Sequence, residues 1–84
     1  MDVAGELERS IARALPGSEV RVSARSPGHF EIRVVSAAFQ GLPRLRQQQL
    51  VYGAIAHLMK GDAAPVHAID ELRTELPRSP DLTG

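Results

Sequence analysis

FQGLPRLRQQQLVYGAIAHLMKGDAAPVHA, residues 39–68, is the stretch on which the reading of the fold turns. After Phe39-Gln40-Gly41 comes Pro43, which suits the first turn of a helix because its missing N–H would have had no partner there. The spacing predicts a helix from that point to Met59 or Lys60, with Gly61 as its stop. Leu45, Tyr52, Ile55 and Met59 make one apolar line along it, widened by Leu50, Val51 and Leu58. Arg44 and Arg46 stand in the first turn, where the positive end of the helix dipole disfavours cations by roughly a few tenths of a kcal/mol. Either they are solvated arginines that the helix tolerates, or they are kept to meet an acidic or phosphate-bearing partner.

The run 66–76 has the composition of a strand but a broken alternation. Val66, Ala68, Leu72 and Thr74 share one parity and Ile69 has the other, so a regular strand would either bury Asp70 or expose Ile69. A one-residue bulge near Asp70 and Glu71 returns Ile69 and Leu72 to a common face. Upstream, Val3, Leu7, Ile11 and Leu15 recur every four residues, Asp2 can cap the start and Pro16-Gly17 stops the run, which is an amphipathic helix. Residues 19–23 alternate around Val20 and Val22, and residues 29–36 around Phe30, Ile32 and Val34. The connection 24–28, with Ser26, Pro27 and Gly28, has turn chemistry and makes the two strands an antiparallel hairpin. The expected architecture is α+β, in the order α-β-β-α-β, a two-layer sandwich with both helices on one face of a small sheet.

Bulk properties narrow the function. Eighty-four residues, 43% of them apolar, suffice for one small domain, read here as residues 1–76, with 77–84 as a flexible C-terminal tail. Ten basic and ten acidic residues cancel, so no overall field draws the chain to nucleic acid or to an anionic membrane. There is no cysteine, which removes thiolate ligands, thiol nucleophiles and disulfides together. Residues 1–8 lack the apolar stretch of a signal peptide, and no apolar run has membrane-spanning length; a cytoplasmic protein without a membrane partner is expected. No phosphate loop, paired-carboxylate constellation or H-E-x-x-H motif is present, and Ser23 or Ser26 beside His29 has no third orienting group, so an enzyme is not expected.

His29, His57 and His67 are then the groups able to titrate near neutrality or to bind a soft metal. His57 has no neighbouring candidate ligand and reads as an ordinary helix-surface histidine. His67, at a strand start, and His29, where the hairpin loop meets its second strand, are each compatible with a structural role as well as with ligation.

The ordered set Phe39-x-Gly41, a basic and glutamine-rich run, Val51-Tyr52 and Val66-His67-Ala68, with Gly28-His29-Phe30 upstream, resembles the BolA-like family over roughly residues 20–77. The resemblance implies a three-stranded mixed sheet related to the type II KH arrangement. It also implies that His67 is a ligand of a shared [2Fe-2S] cluster, with His29 as the second ligand because no cysteine is available in or beside that loop. Two imidazoles cannot complete a cluster, whose protein ligands are usually four and mostly thiolates. In the family the remainder comes from a monothiol glutaredoxin of CGFS type and its bound glutathione. The implied function is a non-catalytic adaptor in iron–sulfur cluster trafficking or iron sensing. One departure is Gln48, where many members carry a helical histidine.

The competing reading is a DNA-binding transcriptional regulator using a KH-like surface. KH modules clamp nucleic acid through a GXXG loop, whereas the corresponding turn here, Gln40-Gly41-Leu42-Pro43-Arg44, has no second glycine. Arg44 and Arg46, joined by Arg33, would have to form the patch. A metal-free interaction module and a homodimer complete the alternatives.

Overall fold

A computed structural model describes residues 2–78. The first helix, α1 (Val3–Ala14), begins where the Asp2 carboxylate accepts the Gly5 N–H at 3.0 Å, satisfying one of the unpaired amides of its first turn. It ends at Leu15 before Pro16 and Gly17, and Leu7, Ile11 and Leu15 face the core. The four-residue spacing therefore gives the stripe it implies.

Three strands follow: β1 (Glu19–Ser26), β2 (His29–Val35) and β3 (Ala68–Glu75). β2 is central, antiparallel to β1 and parallel to β3. The hairpin is tighter than the five-residue loop expected from its composition. β1 runs on to Ser26 and the turn is only Pro27-Gly28, with Gly28 at φ +79°. Proline followed by a positive-φ glycine is the type II pattern, which matches strand twist poorly. The register shifts between Ala24 and Ser26, so Arg25 is an extra residue that adds local twist beside the turn.

Between β2 and β3 the chain makes a 3₁₀ turn, Ala37–Phe39, capped by Ser36, whose Oγ accepts the Ala38 N–H at 3.1 Å. Helix α2 (Arg44–Ile55) follows, and a 3₁₀ turn, Ala56–Leu58, closes it. The helical stretch thus ends one or two residues before the expected point, with Gly61 at φ +87° just beyond. Its buried face differs from the expected one. Val51, Ile55 and Leu58 are buried, but Leu45, Leu50 and Tyr52 are 64%, 41% and 38% exposed. The helix is rolled because a polar residue heads the inner stripe: Gln47 donates to Leu42 O at 2.8 Å and accepts from the Thr74 hydroxyl of β3 at 2.7 Å. That bond fixes which side of the helix meets the sheet.

The helices pack on one face of the sheet. Phe30, Ile32 and Val34 of β2 meet Leu7 and Ile11 of α1, Phe39, and Val51 and Ile55 of α2 in one core. Burying a side chain of this size contributes about 1.5–3 kcal/mol, so this cluster carries most of the stability of so short a chain. The opposite face is polar and carries ion pairs. Arg33 makes a two-pronged bond to Glu75, 2.9 Å on each prong, and Arg25 pairs with Glu31. The Arg33 guanidinium hydrogen-bonded to Glu75 holds that carboxyl below its ordinary value. The tail expected over 77–84 falls mostly outside the described residues.

Candidate functional site

The parallel pairing of β2 with β3 decides which side chains meet. His29 opens β2 and lies opposite Ala68, the first residue of β3. His67 immediately precedes it, and the two imidazoles stand with ring centroids 6.5 Å apart at 77° to one another. Thirty-seven intervening residues close onto a single pair of donors. The backbone sets this contact: Gly28 O accepts both His67 N–H, at 2.8 Å, and Ala68 N–H, at 3.1 Å.

Gly28 matters for a second reason. A Cβ at this position would lie 2.8 Å from Cγ and from Nδ1 of His67, closer than side-chain carbons approach such atoms. The His67 ring lies over bare backbone, and the same glycine supplies the positive φ of the turn. Gly28 was legible in the sequence as a turn residue. Its role as the seat of His67 was not, because the two are 39 positions apart.

His29 has a partner of its own. Its Nδ1 is 3.0 Å from Oδ1 of Asp70, with both side chains about two-fifths exposed. Asp70 is the extra residue of β3: Phe30 lies opposite Ile69 and Glu31 opposite Glu71. The bulge expected from parity is present, and it keeps Ile69 and Leu72 on the core side as that argument required. The contact to His29 was not foreseen.

His57 lies in the 3₁₀ turn after α2, exposed, with Nε2 3.4 Å from the hydroxyl of buried Ser10. Its contact with Ser10 ties that turn to α1. Among the described residues, no group of three or more His, Cys, Asp or Glu is arranged to hold a metal ion. The donor set at the His29 and His67 end is therefore two imidazoles, enough for part of the coordination of one iron. This fits a cluster only if thiolates come from another molecule.

Arg44 and Arg46 are elsewhere. Gln47 bonds Thr74, six residues along β3 from Ala68, or about 20 Å at strand rise. The leucines and arginines at the start of α2 thus lie at the opposite end of the sheet from the histidines. Arg44 and Arg46 have no ion-pair partner among the described residues. Pro43 provides no side-chain cap, and Leu42, Arg46, Gln49 and Leu50 line a shallow groove. Arg33 does not join them, because Glu75 occupies it. The structure thus brings His29 and His67 together and separates them from Arg44 and Arg46.

A family model described as BolA-like protein matches residues 9–77. The chain is 41% identical to human BolA-like protein 1 over 54 residues, which are 64% of this chain and 31% of that protein, so it spans about a third of the length of that relative. Among solved structures, the BolA domain of SufE1 from Arabidopsis thaliana superposes with a TM-score of 0.78 at 23% identity, over 92% of this chain and 94% of that one. BolA1 from Mus musculus gives 0.67 at 27% identity, over 100% and 80%.

Proposed function

The chain belongs to the BolA-like family, and from that premise we propose that it is a non-catalytic adaptor that binds a monothiol CGFS glutaredoxin and shares with it a glutathione-ligated [2Fe-2S] cluster. The observation that carries this reading is the meeting of His29 and His67 at one exposed end of the sheet, 6.5 Å between ring centroids, in a chain without a single thiol. A complete site would need its own thiolates; half a site needs a partner that brings them. His67 and His29 would hold one iron through imidazole nitrogens, while the partner's cysteine and glutathione would hold the other. When bound, the cluster supplies an electron-accepting and transferable iron–sulfur unit, and imidazole ligation raises its potential above that of an all-thiolate centre.

The chain's own contribution is positional. The Gly28 carbonyl anchors the backbone of His67, and the hairpin turn delivers His29 beside it. Both rings are presented at the surface, where a second protein can reach them. The role is trafficking of clusters or sensing of iron, in the cytoplasm.

The DNA-binding alternative would rest on Arg44 and Arg46 without Arg33, which Glu75 engages. Mixing the chain with a CGFS glutaredoxin, glutathione, iron and sulfide, and recording visible absorption and circular dichroism, tests the proposal. A spectrum distinct from that of the glutaredoxin alone is expected. An unchanged spectrum overturns the cluster reading.

A further inference from the structure

We propose that Asp70 is a positioning residue for the site: it fixes the tautomer and orientation of the His29 ring, so that Nε2 is the nitrogen offered to a metal. The inference rests on the proposed function for its purpose, but not for its test.

The argument begins with hydrogen-bond inventory. An ionised carboxylate only accepts, so at 3.0 Å the hydrogen between Asp70 Oδ1 and His29 Nδ1 belongs to the imidazole. In the neutral ring the lone pair is then on Nε2, and Nδ1 is engaged. Histidines that bind metals characteristically donate their other N–H to a carboxylate or carbonyl, which sets the tautomer, holds the ring and raises the basicity of the donor nitrogen. His29 already has that arrangement without any ligand.

The backbone favours a dedicated role. Asp70 is the residue that β3 carries in excess of β2. On a regular strand its parity would be that of Leu72 and Thr74, opposite Ile32 and Val34 on the core side, where a carboxylate has no partner. The bulge removes Asp70 from that face and delivers it to His29 at the strand start. Stability does not account for the contact, because a pair with both side chains about 40% exposed contributes little. Among the described residues no carboxylate pairs with His67; it is set by its own backbone and by the Gly28 seat. The two imidazoles are thus oriented by different devices, and only one of them depends on a side chain.

The test uses the free, metal-free chain. Long-range proton–nitrogen NMR correlation, at alkaline pH where imidazoles are neutral, reads the tautomer of each histidine. His29 is expected in the Nδ1–H form. Asp70→Ala should move it toward the Nε2–H form, while Asp70→Asn should retain Nδ1–H, because the amide oxygen still accepts. Glu71→Ala, next in sequence and exposed, should leave His29 unchanged. In the mixed cluster complex, Asp70→Ala should shorten the lifetime of the cluster about tenfold, with Asp70→Asn recovering part of it. A wild-type His29 in the Nε2–H form, or a tautomer that does not respond to Asp70→Ala, overturns the proposal whatever the cluster does. A responsive tautomer in a chain that assembles no cluster would overturn the functional reading and leave the positioning role standing.

Discussion

At one end of the sheet, His67 is held by backbone bonds to Gly28 and His29 by the carboxylate of Asp70. At the other, about 20 Å along β3, α2 begins with no side-chain cap, with leucines turned outward and with two arginines that have no ion-pair partner among the described residues. The histidine end is shaped before anything binds. The helix end has features that folding alone does not require, since capping, ion pairing and burial are all left incomplete there. A preformed site loses function when one of its fixtures is removed, whereas an incomplete surface loses only the partner's share. Substitutions at the two ends should therefore differ in kind.

The largest effect is expected from His67→Ala, which should abolish the mixed cluster spectrum while changing the unfolding free energy by less than about 0.5 kcal/mol, as for other exposed positions. His57→Ala is its counterpart. It should cost about 0.5–1.5 kcal/mol in a denaturant melt, through loss of the contact with Ser10, and leave cluster assembly unchanged. If the two exchanged behaviours, the histidine pair would not be the site.

Gly28→Ala should come next. The left-handed φ costs about 1–2 kcal/mol for a residue with a Cβ, visible as a lower melting temperature, and the displaced His67 ring should weaken cluster assembly severalfold. A variant with normal cluster lifetime would show that His67 does not depend on its seat.

Reversal of both arginines, Arg44→Glu with Arg46→Glu, sharpens the contrast from the other side. The free chain should become more stable by about 0.3–1 kcal/mol per site, because acidic residues suit a helix start. Association with the glutaredoxin should weaken severalfold at low salt and converge with wild type at high salt, measured by calorimetry. Equal affinity at low salt would reduce Arg44 and Arg46 to solvated side chains.

The smallest effect concerns acid stability. Arg33 holds the Glu75 carboxyl below its ordinary value, so this pair stabilises the fold above about pH 4.5 and ceases to do so as pH falls through the lowered value. Glu75→Gln should flatten that part of the stability profile and leave both ends of the sheet functionally unchanged. Melting temperatures followed on the acid side of pH 4.5 check it.

The sequence made some of these features readable and hid others for physical reasons. Periodicity found both helices and the first two strands, composition found β3, and parity located a bulge near Asp70 and Glu71, because one misplaced apolar residue, Ile69, betrays an extra residue in a strand. The face of α2 was misjudged because hydropathy gives no weight to Gln47, whose two hydrogen bonds orient the helix. The resemblance paired His29 with His67, but their proximity is a product of strand order, which no local pattern encodes. Gly28 and Asp70 escaped as site residues because each acts on a histidine far away in sequence.

The parallel register of β2 and β3 has a consequence for how the chain acquires its site. The β1–β2 hairpin is local and can close within about 1–10 µs, bringing His29 into place early. Pairing β2 with β3 must wait for the whole crossover, 3₁₀ turn and helix included, to be ordered, which makes it the high contact-order step. His67 arrives only then. A nascent or partly opened chain displays one imidazole, and only a completed fold displays two, so a site that needs both would exist only once folding has finished.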